Sequence, residues 1–101
     1  MIAVRKLIWD SWNVAHIARH QVIPDEIEAV CHGRPLVLRG QQKNRLVLVG
    51  LTEEKRMLTV ILEPKGNGIY YPITAYLSMS SDIALYNRLR VKGGEDDEKN
   101  K

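Results

Sequence analysis

The sequence predicts an α+β domain, built as a small antiparallel sheet of about four strands with an N-terminal αα-hairpin and a C-terminal helix. Three observations carry this expectation. Two neighbouring segments early in the chain repeat apolar residues at helical spacing and are separated by a break before Pro24. Runs rich in Val, Ile, Leu and Thr then follow one another with turn residues between them. A serine-led amphipathic segment closes the pattern.

In chain order, residues 3–8 (AVRKLI) look like a short strand. Asp10 or Ser11 offers a side-chain oxygen to cap a helix over 11–20, with Trp12, Val14 or Ala15, and Ile17 or Ala18 as its apolar stripe. His16 and His20, four residues apart, share one face of it. Pro24 suits the first turn of a second helix, and Asp25, Glu26 and Glu28 place negative charge near its positive end. Ile23, Ile27 and Val30 form its buried stripe, and Gly33 and Pro35 stop it. Strands are expected at Leu36–Arg39, Arg45–Leu51, Met57–Glu63 and Ile69–Leu77. The segment PKGNG before Ile69 is a hairpin turn, because glycine and asparagine tolerate positive φ. Pro72 cannot donate to a ladder, which puts it at an edge or a bulge. Ser80 or Ser81 caps a last helix over about 82–91. The order is β-α-α-β-β-β-β-α, with the helices on one face of the sheet.

A chain of 101 residues with 45% hydrophobic content holds one core and not two. Residues 1–91 are expected to form the single domain, and 92–101 (KGGEDDEKNK) a disordered, polar and acidic tail. The one cysteine, Cys31, excludes an internal disulfide and fits a reducing, cytoplasmic setting. The N-terminus has no long apolar run after its charges, so no secretory leader is expected, and no stretch is apolar enough to span a membrane.

The chemistry-bearing residues narrow the function classes. His16, His20 and His32 invite a metal ion, but the residue after His16 is Ile17 rather than a glutamate, and no third ligand has a recognisable spacing. No metal or other cofactor is expected. Cys31 falls among apolar neighbours, which makes it an inert thiol. There is no GxSxG and no glycine-rich phosphate loop leading into a helix. The body carries 12 Lys and Arg against 8 Asp and Glu, a net charge of +4 over residues 1–91 that favours anionic partners. Arg19, His20, Lys43, Arg45, Arg56, Arg88 and Arg90 are available to phosphates, and Tyr70, Tyr71, Tyr76 and Tyr86 to bases; RNA binding uses both residue types. On pattern alone, core edges and ordinary surface account for the tyrosines better than RNA binding does. Metal-free RNA cleavage asks for a base, cations on the developing phosphorane charge, and an acid at the leaving oxygen.

Read in order, the segments resemble a known family. WDSWNVAHIARHQVIPDEIEAV (Trp9–Val30) resembles the opening of BrnT-like toxins, part of the RelE-like superfamily. Trp9, Asp10, Asn13, His16, Ile17, Arg19, His20, Glu26 and Glu28 fill that pattern. RLVLVGLTEEKRMLTVILE resembles the family's central hairpin, with Gly50 in its first strand, and IYYPITAYLSMSSDIALY its closing segment. The resemblance covers about residues 5–90. It implies a compact RelE-like fold, a toxin that blocks translation by cutting RNA, and neutralisation by an adjacent DNA-binding antitoxin. On it, His20, Arg19 and Arg45 hold or polarise the RNA phosphate, with Lys43, Arg56 and Arg88 as further phosphate contacts. His16 transfers a proton, since the imidazole side chain as a type titrates near neutrality. Tyr76 or Tyr86 donates a hydrogen bond or stacks a base. The sequence also departs from the pattern. Tyr76 stands where an arginine is expected, Ile83 and Ala84 lie where further arginines are expected, Asp82 replaces a glutamate, and Gln21 replaces a loop glycine. These departures motivate an alternative, a RelE-like module that binds a partner protein or RNA without cleavage; the expected partners are an antitoxin and RNA or the ribosome. A third possibility is a homodimer paired through Leu36–Arg39 or Ile69–Leu77 as exposed edges.

Overall fold

A computed structural model describes residues 3–40 and 44–99. The elements are β1 (Lys6–Leu7), α1 (Ser11–Ala18), α2 (Pro24–His32), β2 (Leu36–Arg39), β3 (Leu46–Leu51), β4 (Met57–Gly66), β5 (Ile69–Leu77) and α3 (Ser80–Lys99). They form one five-stranded sheet in the order β1-β5-β4-β3-β2. The α+β class and the element order match the expectation, and the sheet differs from it in being mixed. The antiparallel meander of β2 to β5 is joined at its edge by β1, which pairs parallel to β5 through Lys6 with Ile69 and Leu7 with Tyr70. A pairing of two residues leaves no local signal, so strand direction there is not readable from pattern alone.

Alternation along the strands sorts the sheet into two faces. Leu58, Val60 and Leu62 of β4 point one way, with Leu48 and Ala75 as cross-strand neighbours of Val60. This is the core face, covered by Ile17 of α1, by Ile27, Val30 and Cys31 of α2, and by Val22 between them. Each of these large apolar side chains contributes about 1.5–3 kcal/mol by leaving water. Val47, Thr59, Ile61, Thr74 and Tyr76 point the other way. Here the structure corrects the expectation that all helices share one face. The first turn of α3 is bonded to Thr59, so α3 sits on the opposite face from α1 and α2. The reason is that Val47 and Ile61 leave that face partly apolar, and one helix covers part of it. The backbone of α3 runs on to Lys99, past the Val91 at which the sequence pattern ends it, because extending a formed helix costs far less than starting one.

The phase of α1 also differs from the apolar stripe read from the sequence. Trp12 is 56% exposed, whereas Asn13 is fully buried. Asn13 turns inward because its side chain is a hydrogen-bonding hub. Its amide donates to the carbonyls of Ile8 (2.9 Å) and Pro72 (3.1 Å), and its Oδ1 accepts from the backbone N–H of Asp10 (2.9 Å). Asp10 returns the bond to the N–H of Asn13 (2.9 Å), completing a capping box. That bond, with a lesser contribution from the Tyr71 hydroxyl, holds the Asp10 carboxyl below its ordinary range against the opposing effect of burial.

Pro72 lies next to a bulge, as its chemistry demands. Ile61 pairs with Thr74 but Leu62 pairs with Pro72, so Ile73 is an extra residue on β5. β1 has already ended at this level, so no ladder is broken by the missing N–H. The turn between β4 and β5 has positive φ at Gly66, Asn67 and Gly68. A Cβ on Gly68 would also lie 2.8 Å from Cγ of Arg5, so the glycine serves both the turn and the close approach of the N-terminal segment.

At the other end of α1, Gln21 has φ +59°, and its N–H and that of Val22 donate to the carbonyls of Ala18 (3.0 Å) and Ile17 (3.2 Å). This is a Schellman ending, in which the left-handed residue is normally glycine. Gln21→Gly is therefore expected to stabilise the protein by roughly 0.5–1 kcal/mol, read as a higher thermal midpoint. A lower midpoint would show that Gln21 makes up for its backbone strain elsewhere. Among the described residues no helix is long and apolar enough to cross a membrane.

Candidate functional site

The face of the sheet opposite α1 and α2 is only partly covered by α3, and what remains open is a cleft of about 530 Å³. Its floor is Val47, Thr59, Ile61 and Ile73. Its polar rim is Arg39, Arg45, Tyr76 and Asp82. The two arginines come together because β2 and β3 form a hairpin. Arg39 pairs with Leu46, and Gly40 donates its N–H to the carbonyl of Arg45 (2.9 Å). A Cβ on Gly40 would lie 2.8 Å from that of Arg45, so only glycine lets the hairpin close this tightly and hold Arg45 over the cleft. Neither arginine forms an ion pair with another described residue.

Asp82 is anchored at the opposite wall. The buried Thr59 hydroxyl donates to Asp82 Oδ2 (3.0 Å) and lies 2.7 Å from Ser78 Oγ. Thr59 has one proton and gives it to the carboxylate, so Ser78 donates to Thr59. Tyr76 faces this carboxylate. Burial first, and the Asp82 charge second, push its hydroxyl above the usual tyrosine range. Tyr76 is therefore a neutral hydrogen-bond donor at physiological pH.

Two of the residues singled out from the sequence, Arg45 and Tyr76, thus meet in one cleft. His20 joins them at the rim, its ring edge-on to Tyr76 with centroids 6.3 Å apart. His16 follows behind His20 at 5.8 Å. The other residues lie elsewhere. Arg56 is ion-paired with Glu26 and bonded to the Gln21 carbonyl (3.2 Å), which ties α2 to the loop after β3. Arg19 is exposed at the end of α1, and Arg88 is exposed on α3. Tyr86 is half-buried on α3. Lys43 lies outside the described residues. His32 pairs with Glu28 (3.0 Å), away from His16 and His20. Among the described residues no group of three or more His, Cys, Asp or Glu is placed to hold a metal ion. Cys31 is buried, and burial with the nearby Glu28 charge pushes its thiol up to about 12, so it is no nucleophile at neutral pH.

Sequence reasoning missed Arg39, Thr59 and Asp82 as members of the cleft. A signal for Arg39 existed, since a hairpin between Leu36–Arg39 and the next strand must bring its end close to Arg45. No sequence signal joins Thr59 to Asp82.

Fold and cleft together define a small α+β domain with a cationic cleft, rimmed by aromatic rings, on one sheet face. The structure is similar to the crystal structure of the Brucella abortus ribonuclease toxin, BrnT, with a TM-score of 0.60 at 23% identity, over 74% of this chain and 97% of that one. The BrnT-like fold expected from the sequence is thus the fold of this chain. No family model and no curated protein matches the sequence.

Proposed function

We propose that this protein is a toxin that cuts RNA, and that the Arg45–Tyr76–His20 cleft is where it does so. The observation that carries this reading is the convergence of an arginine with no ion pair among the described residues, a neutral tyrosine hydroxyl and an accessible imidazole on a fold otherwise found in a ribonuclease toxin. Arg45 and Arg39 offset the charge that develops on the phosphorane. Tyr76 donates to a phosphate oxygen. His20 takes the proton of the attacking 2′-hydroxyl, and His16 stands behind it as a second imidazole. Cleavage breaks the bond to the 5′-oxygen, which takes a proton from solvent water, and leaves a 2′,3′-cyclic phosphate on one fragment and a 5′-hydroxyl on the other. The machinery consists of side chains alone, so activity is expected to survive EDTA. An antitoxin would silence the protein by covering the cleft in the cytoplasm.

Purified protein incubated with end-labelled RNA in EDTA is expected to give discrete cyclic-phosphate fragments, and its expression without a partner to arrest growth. Tyr76, at a position where the resemblance expects an arginine, favours a second reading, in which the domain binds RNA or a partner without cutting. Absence of both fragments and arrest, together with retained RNA affinity, would replace the first reading with the second.

A further inference from the structure

The rings of α1 do not stop at the two histidines. Trp12 stacks on His16 with centroids 4.9 Å apart and planes 8° from parallel. Trp12 and His16 lie one turn apart on α1 and His20 follows in the turn after it, so the three rings form one row, which ends at Tyr76 on the cleft rim. One face of Trp12 is occupied by His16, yet the residue remains 56% exposed, an unusual cost for the largest apolar side chain. Nothing in the fold requires this. Asn13 and Ile17 hold the helix to the core, and Trp12 lies off that face.

We propose that Trp12, with His16 and His20, forms a stacking platform for the unpaired bases of single-stranded RNA entering the cleft. This rests on the reading of the cleft as an RNA site and adds the substrate form and a specificity residue. The ring centroids carry the row no further than about 11 Å from Trp12 to His20, the length of about three stacked nucleotides at roughly 3.4 Å each. The platform is continuous with the cations at Arg45 and Arg39, so a strand whose bases lie on the rings delivers its next phosphate to the arginines. Base stacking on aromatic rings tolerates any base but requires a splayed strand, and a duplex keeps its bases to itself. An exposed tryptophan also suits a protein contact, but the continuity of the row with a cationic cleft favours RNA.

The test is anisotropy of a labelled eight-nucleotide 2′-O-methyl oligouridine, which cannot be cut, and of a duplex of the same length. Trp12→Ala is expected to weaken single-strand binding roughly 5- to 100-fold. Trp12→Phe is expected to restore most of the affinity, and duplex binding to be the same for all three proteins. Matching thermal midpoints would confirm that the fold is intact. If Trp12→Ala binds the single strand as tightly as wild type while Arg39→Ala/Arg45→Ala does not, the platform is refuted and the cleft reading stands. If wild type binds no RNA, both fall. If Trp12→Ala keeps RNA affinity but loses a protein partner, the row is a protein contact and the platform is again refuted.

Discussion

Replacing Arg45 by alanine is expected to lower the rate of RNA cleavage by roughly 10²–10³, the usual cost of removing one charge-stabilising donor from a transition state. His20→Ala is expected to cost roughly 10²–10⁴ as the loss of a proton-transfer group. In the proposed mechanism the two act on one transition state, so the double variant should fall well short of the product of the single losses. Neither change touches the core. His20 is exposed, and Arg45 is half-buried above the cleft without an ion pair among the described residues. Thermal midpoints should therefore stay near that of wild type, and the loss should appear in kcat. Arg45→Lys should recover only part of the rate, because an ammonium cannot make the two parallel bonds that a guanidinium offers to a phosphate. A double variant that keeps its rate within threefold would move the active site away from this cleft.

The largest effect on stability is expected at Asn13. Asn13→Ala strips partners from the carbonyls of Ile8 and Pro72 and from the N–H of Asp10; the bond to Pro72 is buried and the other two are partly so. Groups left unsatisfied cost about 1–3 kcal/mol each when buried, and relaxation recovers part of that. A total of roughly 2–4 kcal/mol is expected, which for a domain of this size lowers the thermal midpoint by about 10–25 °C. Asn13→Asp should be at least as harmful, since a carboxylate cannot donate to two carbonyls. The effect should extend to activity. The bond to Pro72 clamps α1 along β5, and that clamp sets His20 beside Tyr76. A calorimetric loss below about 1 kcal/mol would mean that water fills the gap and that the clamp matters less than its geometry suggests.

Much of the fold was legible from local chemistry. Pro24 starts α2 and Gly33 follows it, and β2 and β5 have the bounds that their apolar runs and flanking turns suggest. What escaped was set by partners distant in sequence. The inward face of α1 follows from Asn13 reaching Pro72, not from its apolar stripe, so Trp12 was assigned to the wrong side. The direction of β1 and the side chosen by α3 depend on which sheet edge and face the rest of the chain leaves open. The same holds for the candidate site. The residue types that line it were recognisable, but Arg56 has the same chemistry as Arg45 and is drawn to Glu26 instead. Only the pairing of strands separates them. The spacing of Trp12, His16 and His20 was present in the sequence, and its meaning depended on knowing which way the helix faces.

The bulge at Ile73 means that β5 is read in two frames. Before it, Tyr70 and Pro72 face the core with Leu62; after it, Ala75 faces the core with Val60. An unbroken strand would place residues 70, 72, 74 and 76 on one side and turn Tyr76 into the core. The single added residue is what delivers Tyr76 to the outside, next to His20 and Arg45. Length, more than composition, is therefore the guarded property of this strand. Gaining or losing one residue there would exchange interior for exterior and dismantle the cleft at a stroke.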